Sequence, residues 1–158
     1  MTNFGFFKVR DASIGVLTCA LWGLLPQTVA SDWVLGVLTG LCGLLLHEWG
    51  HVYGAYRSEA TVTPAPFWSP FLFDLDSRRN SREQFLAVSL WGFFASGVYL
   101  VLFVVLLPLE RLAGQVAMAI ALFLAALTVI IEFPLAWRVY RGHPLPPVEI
   151  FKRVSKRE

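Results

Sequence analysis

The sequence predicts an all-α membrane protein with four transmembrane helices and both termini in the cytoplasm. Three observations carry that reading. The 158 residues are 56% hydrophobic, too apolar for an ordinary soluble domain and too few for a second one, so residues 1–158 form a single membrane domain. Four stretches reach the roughly 20 mostly apolar residues that a span requires. Finally, 12 of the 13 Lys and Arg residues flank those stretches on one side, with Arg111 alone on the other, and the positive-inside rule places the basic side in the cytoplasm.

The first span, Ala12–Ala30, follows Lys8 and Arg10. Its end, Thr28-Val29-Ala30, resembles a signal-peptidase site, but the stretch is read as a retained helix. The second span, Trp33–Tyr53, carries Gly36, Gly40 and Gly43 on one flank, a spacing of small residues that lets helices pack closely in a bundle. Cys19 and Cys42 fall within the first two spans, away from any C-x-x-C pattern, and are read as packing residues rather than a disulfide.

The loop from Arg57 to Arg82 mixes Pro64, Pro66 and Pro70 with Phe67, Trp68, Phe71 and Phe73. The prolines exclude a helix and the aromatics exclude a free linker. The segment is expected at the membrane surface or folded back over the bundle, with a short strand at Ala60–Thr63. The third span is Phe85–Leu107. The fourth, Leu112–Tyr140, exceeds one crossing and must tilt, bend or emerge. It is expected to stop near Gly142, before Pro144, Pro146 and Pro147. The tail 141–158 holds Lys152, Arg153, Lys156 and Arg157, a juxtamembrane basic segment suited to anionic headgroups. These features name the lipid bilayer as a partner, and the basic tail, better explained by lipid, gives nucleic-acid binding no further support.

The chemistry lies in His47-Glu48-Trp49-Gly50-His51, an H-E-x-x-H motif inside the second span. One turn apart on a helix, His47 and His51 share a face and can grip one zinc ion, with Glu48 within reach of a zinc-bound water as catalytic base. Two histidines and a glutamate in hydrocarbon are expensive, so a function for them is the default reading. A catalytic zinc needs a third protein ligand. Glu132 is the candidate, being the only ionisable residue inside the fourth span. His51 precedes Arg57, and Glu132 precedes Arg138, by the same six residues, so both lie roughly 9 Å inside the cytoplasmic boundary, and His47 roughly 15 Å. Asp74, Asp76 and His143 are rivals that would have to fold inward. Haem ligation is disfavoured, because histidines one turn apart on one helix cannot take both axial positions.

With these residues in view, the chain resembles the site-2 protease family of intramembrane zinc metalloproteases. His47-Glu48-Trp49-Gly50-His51 matches that family's H-E-x-G-H form. Gly92-Phe93-Phe94-Ala95-Ser96 looks like its third-helix signature, a glycine followed after three residues by asparagine or a small residue. The family's fourth-helix ligand is an aspartate in an Asp-Gly pair; this chain has no such pair, and Glu132-Phe133-Pro134 occupies the region. The resemblance implies zinc-dependent cleavage of a membrane-anchored protein, with Gly92 and Ser96 contributing to substrate binding. The cytoplasmic placement of this multi-pass chain takes the membrane to be a bacterial inner membrane or its topological equivalent. The altered third motif and small size equally suit a catalytically degenerate subunit or assembly factor of a larger membrane complex.

Overall fold

The computed structural model describes residues 4–66, 69 and 71–146. The expectations for Phe67, Trp68, Pro70 and the basic residues of the tail lie outside the described residues. The fold is mostly helical. Helix α1 runs Gly5–Leu24, α2 Val29–Arg57, α3 Arg82–Leu106, α4 Leu112–Leu127 and α5 Phe133–Tyr140, with a π-helical turn at Thr128–Glu132 joining α4 to α5. Among the described residues, three helices are long and apolar enough to cross a membrane: Val29–Arg57, Arg82–Leu106 and the continuous Leu112–Tyr140; α1 is not among them.

The helix limits follow local chemistry. Pro26 cannot continue α1, and Thr28 starts α2 through a capping box: its hydroxyl accepts from the Ser31 amide at 3.2 Å while the Ser31 hydroxyl accepts from the Thr28 amide at 3.0 Å. Ser81 and Gln84 start α3 in the same way, with the Ser81 amide donating to Gln84 Oε1 at 2.7 Å. The first two spans are therefore shifted from expectation. α1 begins at Gly5 rather than Ala12 and ends at Leu24 rather than Ala30, and α2 gains Val29–Asp32. The physical reason is that Arg10, Asp11 and Asp32 are paired inside the fold, so none of them marks a helix boundary.

Helix α2 is the axis of the bundle, packed along its length against α3 on one flank and α4 on the other, while α1 lies against it more loosely. Its glycines make this possible. A Cβ on Gly36 would stand 2.6 Å from Val116 Cβ and 2.8 Å from the Ala113 carbonyl oxygen; one on Gly40 would stand 2.6 Å from Ile120 Cγ2. Gly36 and Gly40 thus carry α4, as close packing of small residues predicts, while Gly43 faces Tyr99 and Phe103 of α3. On the α3 side, Tyr99 and Phe103 pack with Ala117 and Ala121, and the Tyr99 hydroxyl donates to the Ala121 carbonyl at 3.2 Å.

At the end of the bundle far from the motif, Arg111 meets Asp32. Arg111 Nε donates to Asp32 Oδ1 at 2.8 Å, and Nη2 lies 2.6 Å from the same oxygen as an ion contact without hydrogen-bond alignment. The guanidinium carbon also sits 5.0 Å from the Trp22 ring centre. One buried pair therefore joins α2, the start of α4 and α1.

The segment between α2 and α3 is an antiparallel hairpin. Strand β1, Val62–Pro64, pairs with β2, Phe73–Leu75. The expected strand at Ala60–Thr63 overlaps β1 but begins two residues early, and β2 was not anticipated. Of the two expected placements, folding back is observed: Leu72 is fully buried at the bundle. Asn80 fixes the hairpin base, its side chain accepting from the Thr61 amide at 2.6 Å and donating to the Thr61 carbonyl at 2.7 Å.

Because the Gly36 contact is with backbone as well as side chain, Gly36→Ala should destabilise the bundle by about 1–3 kcal/mol, the usual cost of overpacking. Gly23→Ala, where an added Cβ meets nothing within 4 Å, should be neutral or stabilising. Thermal unfolding in detergent checks both; equal midpoints for the two variants would refute the close α2–α4 contact.

Candidate metal centre

His47, His51 and Glu132 converge at one point. His47 Nε2 is 3.0 Å from His51 Nε2 and 3.2 Å from Glu132 Oε1, and His51 Nε2 is 3.3 Å from Glu132 Oε2. Among the described residues they are the only group of three His, Cys, Asp or Glu side chains whose ligand atoms come this close. Asp74 and His143 are exposed, and Asp76 is engaged with Arg79 at 3.4 Å, so the rivals for the third position lie elsewhere.

Helix α3 decides which ring nitrogen faces inward. His51 Nδ1 is 2.9 Å from the Val88 carbonyl oxygen. His47 Nδ1 is 3.2 Å from the Gly92 carbonyl oxygen and 2.8 Å from Ser96 Oγ. A carbonyl can only accept, so each Nδ1 carries a ring hydrogen, and in the neutral rings each Nε2 keeps a lone pair. In that form two lone pairs and a carboxylate face one another at about 3 Å. A cation resolves that arrangement. A tetrahedral ion with metal–nitrogen bonds of about 2.0–2.1 Å separates its ligand atoms by about 3.3 Å. The observed separations of 3.0, 3.2 and 3.3 Å fit such an ion with little rearrangement.

Gly92 and Ser96, expected at a substrate surface, stand against the Nδ1 edges of the histidines. A Cβ on Gly92 would overlap the His51 imidazole, so glycine is required for the ring to occupy its place. Sequence reading did not anticipate this supporting role. The position opposite His51 on the next helix is the signal that could have indicated it.

Glu132 reaches the site through the π turn. Pro134 has no N–H for the Ile130 carbonyl, and its ring crowds the preceding turn. The wider winding of Thr128–Glu132 absorbs that defect. Relative to an unbroken α-helix, the extra residue rotates the downstream part of the helix and turns Glu132 towards α2. Its side chain remains about a third exposed (34%), whereas those of His47 (5%) and His51 (14%) are enclosed, so the site is open on the Glu132 side.

Glu48 is buried, and its Oε2 accepts from the Leu72 amide at 3.2 Å. The hairpin loop therefore covers the carboxylate. Trp49 faces away from the rings and donates its indole N–H to Asp11 Oδ2 at 2.8 Å, while Arg10 Nε donates to Asp11 Oδ1 at 2.6 Å and Arg10 Nη1 to the Ser69 carbonyl at 3.4 Å. Asp11 was not foreseen as a structural residue. It ties α1 to the motif helix, and its neighbour ties α1 to the loop over Glu48.

Comparison with protein-family models, curated proteins and solved structures returns no match.

The geometry makes two expected outcomes specific. Ser96→Ala leaves His47 Nδ1 only the Gly92 carbonyl and should weaken metal binding by about 10–100-fold, as loss of an outer-shell partner does. Gly92→Ala displaces His51 and should abolish binding while the helical content is unchanged. Equilibrium dialysis against zinc with metal analysis, alongside circular dichroism, measures both. Parent-like affinity in Gly92→Ala would refute the assignment of His51 as a ligand.

Proposed function

We propose that this chain is an intramembrane zinc metalloprotease of the site-2 protease type, cleaving a membrane-anchored protein substrate near the cytoplasmic face. In this reading it is a multi-pass protein of a bacterial inner membrane, with α1 as a fourth crossing and the hairpin and both termini on the basic side. The observation that carries the reading is the convergence of two Nε2 lone pairs and a carboxylate at tetrahedral ligand spacing, adjacent in sequence to a buried glutamate. A set of two histidines and a glutamate is a working catalytic zinc site in other hydrolases.

When bound at His47, His51 and Glu132, zinc supplies Lewis acidity, lowering the pKa of a ligated water towards about 7 and polarising a carbonyl. The rest of the reaction falls to the chain's own groups. Glu48 takes a proton from the attacking water as a carbon–oxygen bond forms at the scissile carbonyl. It then returns that proton to the amide nitrogen as the carbon–nitrogen bond breaks. The Leu72 amide bonded to Glu48 Oε2 occupies one of that carboxylate's acceptor positions and leaves Oε1 to take the proton. Gly92, Ser96 and Val88 keep both imidazoles in the binding tautomer throughout.

A second reading is favoured by the same Leu72 contact. A carboxylate permanently covered by its own loop suits a protease-like subunit or assembly factor of a larger membrane complex, in which no substrate has to reach Glu48. Glu48→Gln separates the two. It keeps the shape and burial of the side chain and should lower cleavage of a single-span reporter in reconstituted vesicles by about 10²–10⁴-fold, the range for a general base, with metal content unchanged. Undiminished cleavage would sink the proposed mechanism. A parent inert towards every membrane reporter, whose co-purifying partners persist in Glu48→Gln, would support the second reading.

A further inference from the structure

On the face of α2 turned away from the histidines, α1 stands off from the bundle and leaves a groove of about 840 Å³. It runs from Lys8 and Asp11 at one end to Trp22 and Pro108 at the other. Measured along α1, from Lys8 to Trp22, that is about 21 Å at 1.5 Å per residue.

The walls decide what can fill it. Their polar groups are turned on one another: the Thr18 hydroxyl donates to the Ile14 carbonyl at 2.8 Å, the Trp22 indole donates to Thr39 Oγ1 at 2.9 Å, and Cys42 Sγ lies 3.7 Å from Thr18 Oγ1. What remains facing the groove is hydrocarbon. A space of 840 Å³ would take about 28 waters at roughly 30 Å³ each, and each would need two to four polar partners that these walls do not offer. Left empty, the lining would forfeit its dispersion contacts. An apolar chain satisfies both conditions.

One end adds a charge. Among the described residues, Lys8 has no carboxylate at ion-pair distance, whereas Asp11 beside it is engaged by Arg10 and Trp49. Lys8 also belongs to the strongly basic side of the chain, where anionic headgroups gather. The groove is longer than the roughly 15 Å of one leaflet's hydrocarbon, so acyl chains can lie in it at full length below a headgroup held at Lys8.

We propose that the groove between α1 and α2 is a binding site for one membrane phospholipid, its acyl chains lying between Gly15 and Leu46 and its anionic headgroup at Lys8. This inference rests on placement of the chain in a bilayer and is independent of proteolytic activity. The lipid takes the place of the side-chain packing that α1 lacks, so it completes the seating of α1, which in turn holds Trp49 and the Ser69 loop.

Photolabelling of the full chain tests it, in phosphatidylcholine vesicles containing a small fraction of phosphatidylglycerol with a mid-chain diazirine. The expected result is label concentrated on α1 and α2 peptides that contain Cys19 and Cys42, above the level on lipid-facing α3 residues such as Val101 and Val104. An added Cβ at Gly15 meets nothing within 4 Å, so Gly15→Leu fills the groove without disturbing the helix. It should reduce groove label about tenfold by displacing several methylenes from their contacts, with metal content as in the parent. Lys8→Gln should reduce it about fivefold, the effect of one cation at a headgroup. Label in the parent at the same level on the groove and on α3 would overturn the proposal, whatever the variants do. So would a groove closed to label by a partner's helix cross-linked to α1. Metal retention and reporter cleavage, read in the same samples, show separately whether the catalytic reading stands.

Discussion

A polar group inside hydrocarbon costs several kcal/mol unless another group meets it, and this cost governs where the helices of the chain can lie. Asp32 and Arg111 can stand between α2 and α4 only because they stand together. Asp11 is tolerated on α1 because Arg10 and the Trp49 indole both donate to it. The two imidazoles hand their N–H groups to α3 backbone carbonyls, which obliges α3 to approach α2 closely and accounts for the glycines between them. Each polar pairing fixes a helix contact, and the apolar side chains fill the space that the pairings define. Van der Waals packing alone, without a hydrophobic driving force between helices in lipid, would leave the registers poorly defined.

The same constraint separates the two carboxylates of the site. Glu132 lies on a lipid-facing helix with one side open, where its oxygens reach the imidazoles. Glu48, one residue from a ligand, points instead towards the hairpin and finds a backbone amide. Identical side chains thus acquire different surroundings from position alone: one lies against the two imidazoles and the other beneath the hairpin. The loop that covers Glu48 is in turn held by α1 through Arg10 and Ser69. The first helix, though remote in sequence from the motif, bears on whether the site is open.

Much of this was legible in the sequence. The H-E-x-x-H periodicity placed both histidines on one face, and equal distances from the flanking arginines matched Glu132 to their depth. The glycine flank announced a close helix contact. The helix limits near Asp11 and Asp32 were misread, since a charge in a sequence carries no sign of whether it has a partner across the bundle. The contacts from Val88, Gly92 and Leu72 were invisible for a different reason: they use backbone atoms, which every residue possesses. Strand β2 is three residues long and gives no periodic pattern to detect. The π turn had one available signal, Pro134 in the middle of a span, which marks a disturbed helix without saying how the disturbance resolves.

That turn has a consequence for how the site holds together. A π segment is a less favoured winding, and an α-helical rewinding of Thr128–Glu132 would carry Glu132 around the helix axis and away from α2. Winding and site geometry are therefore linked: the wide turn presents Glu132 to the two imidazoles, and an ion held by all three residues would in turn stabilise the wide turn.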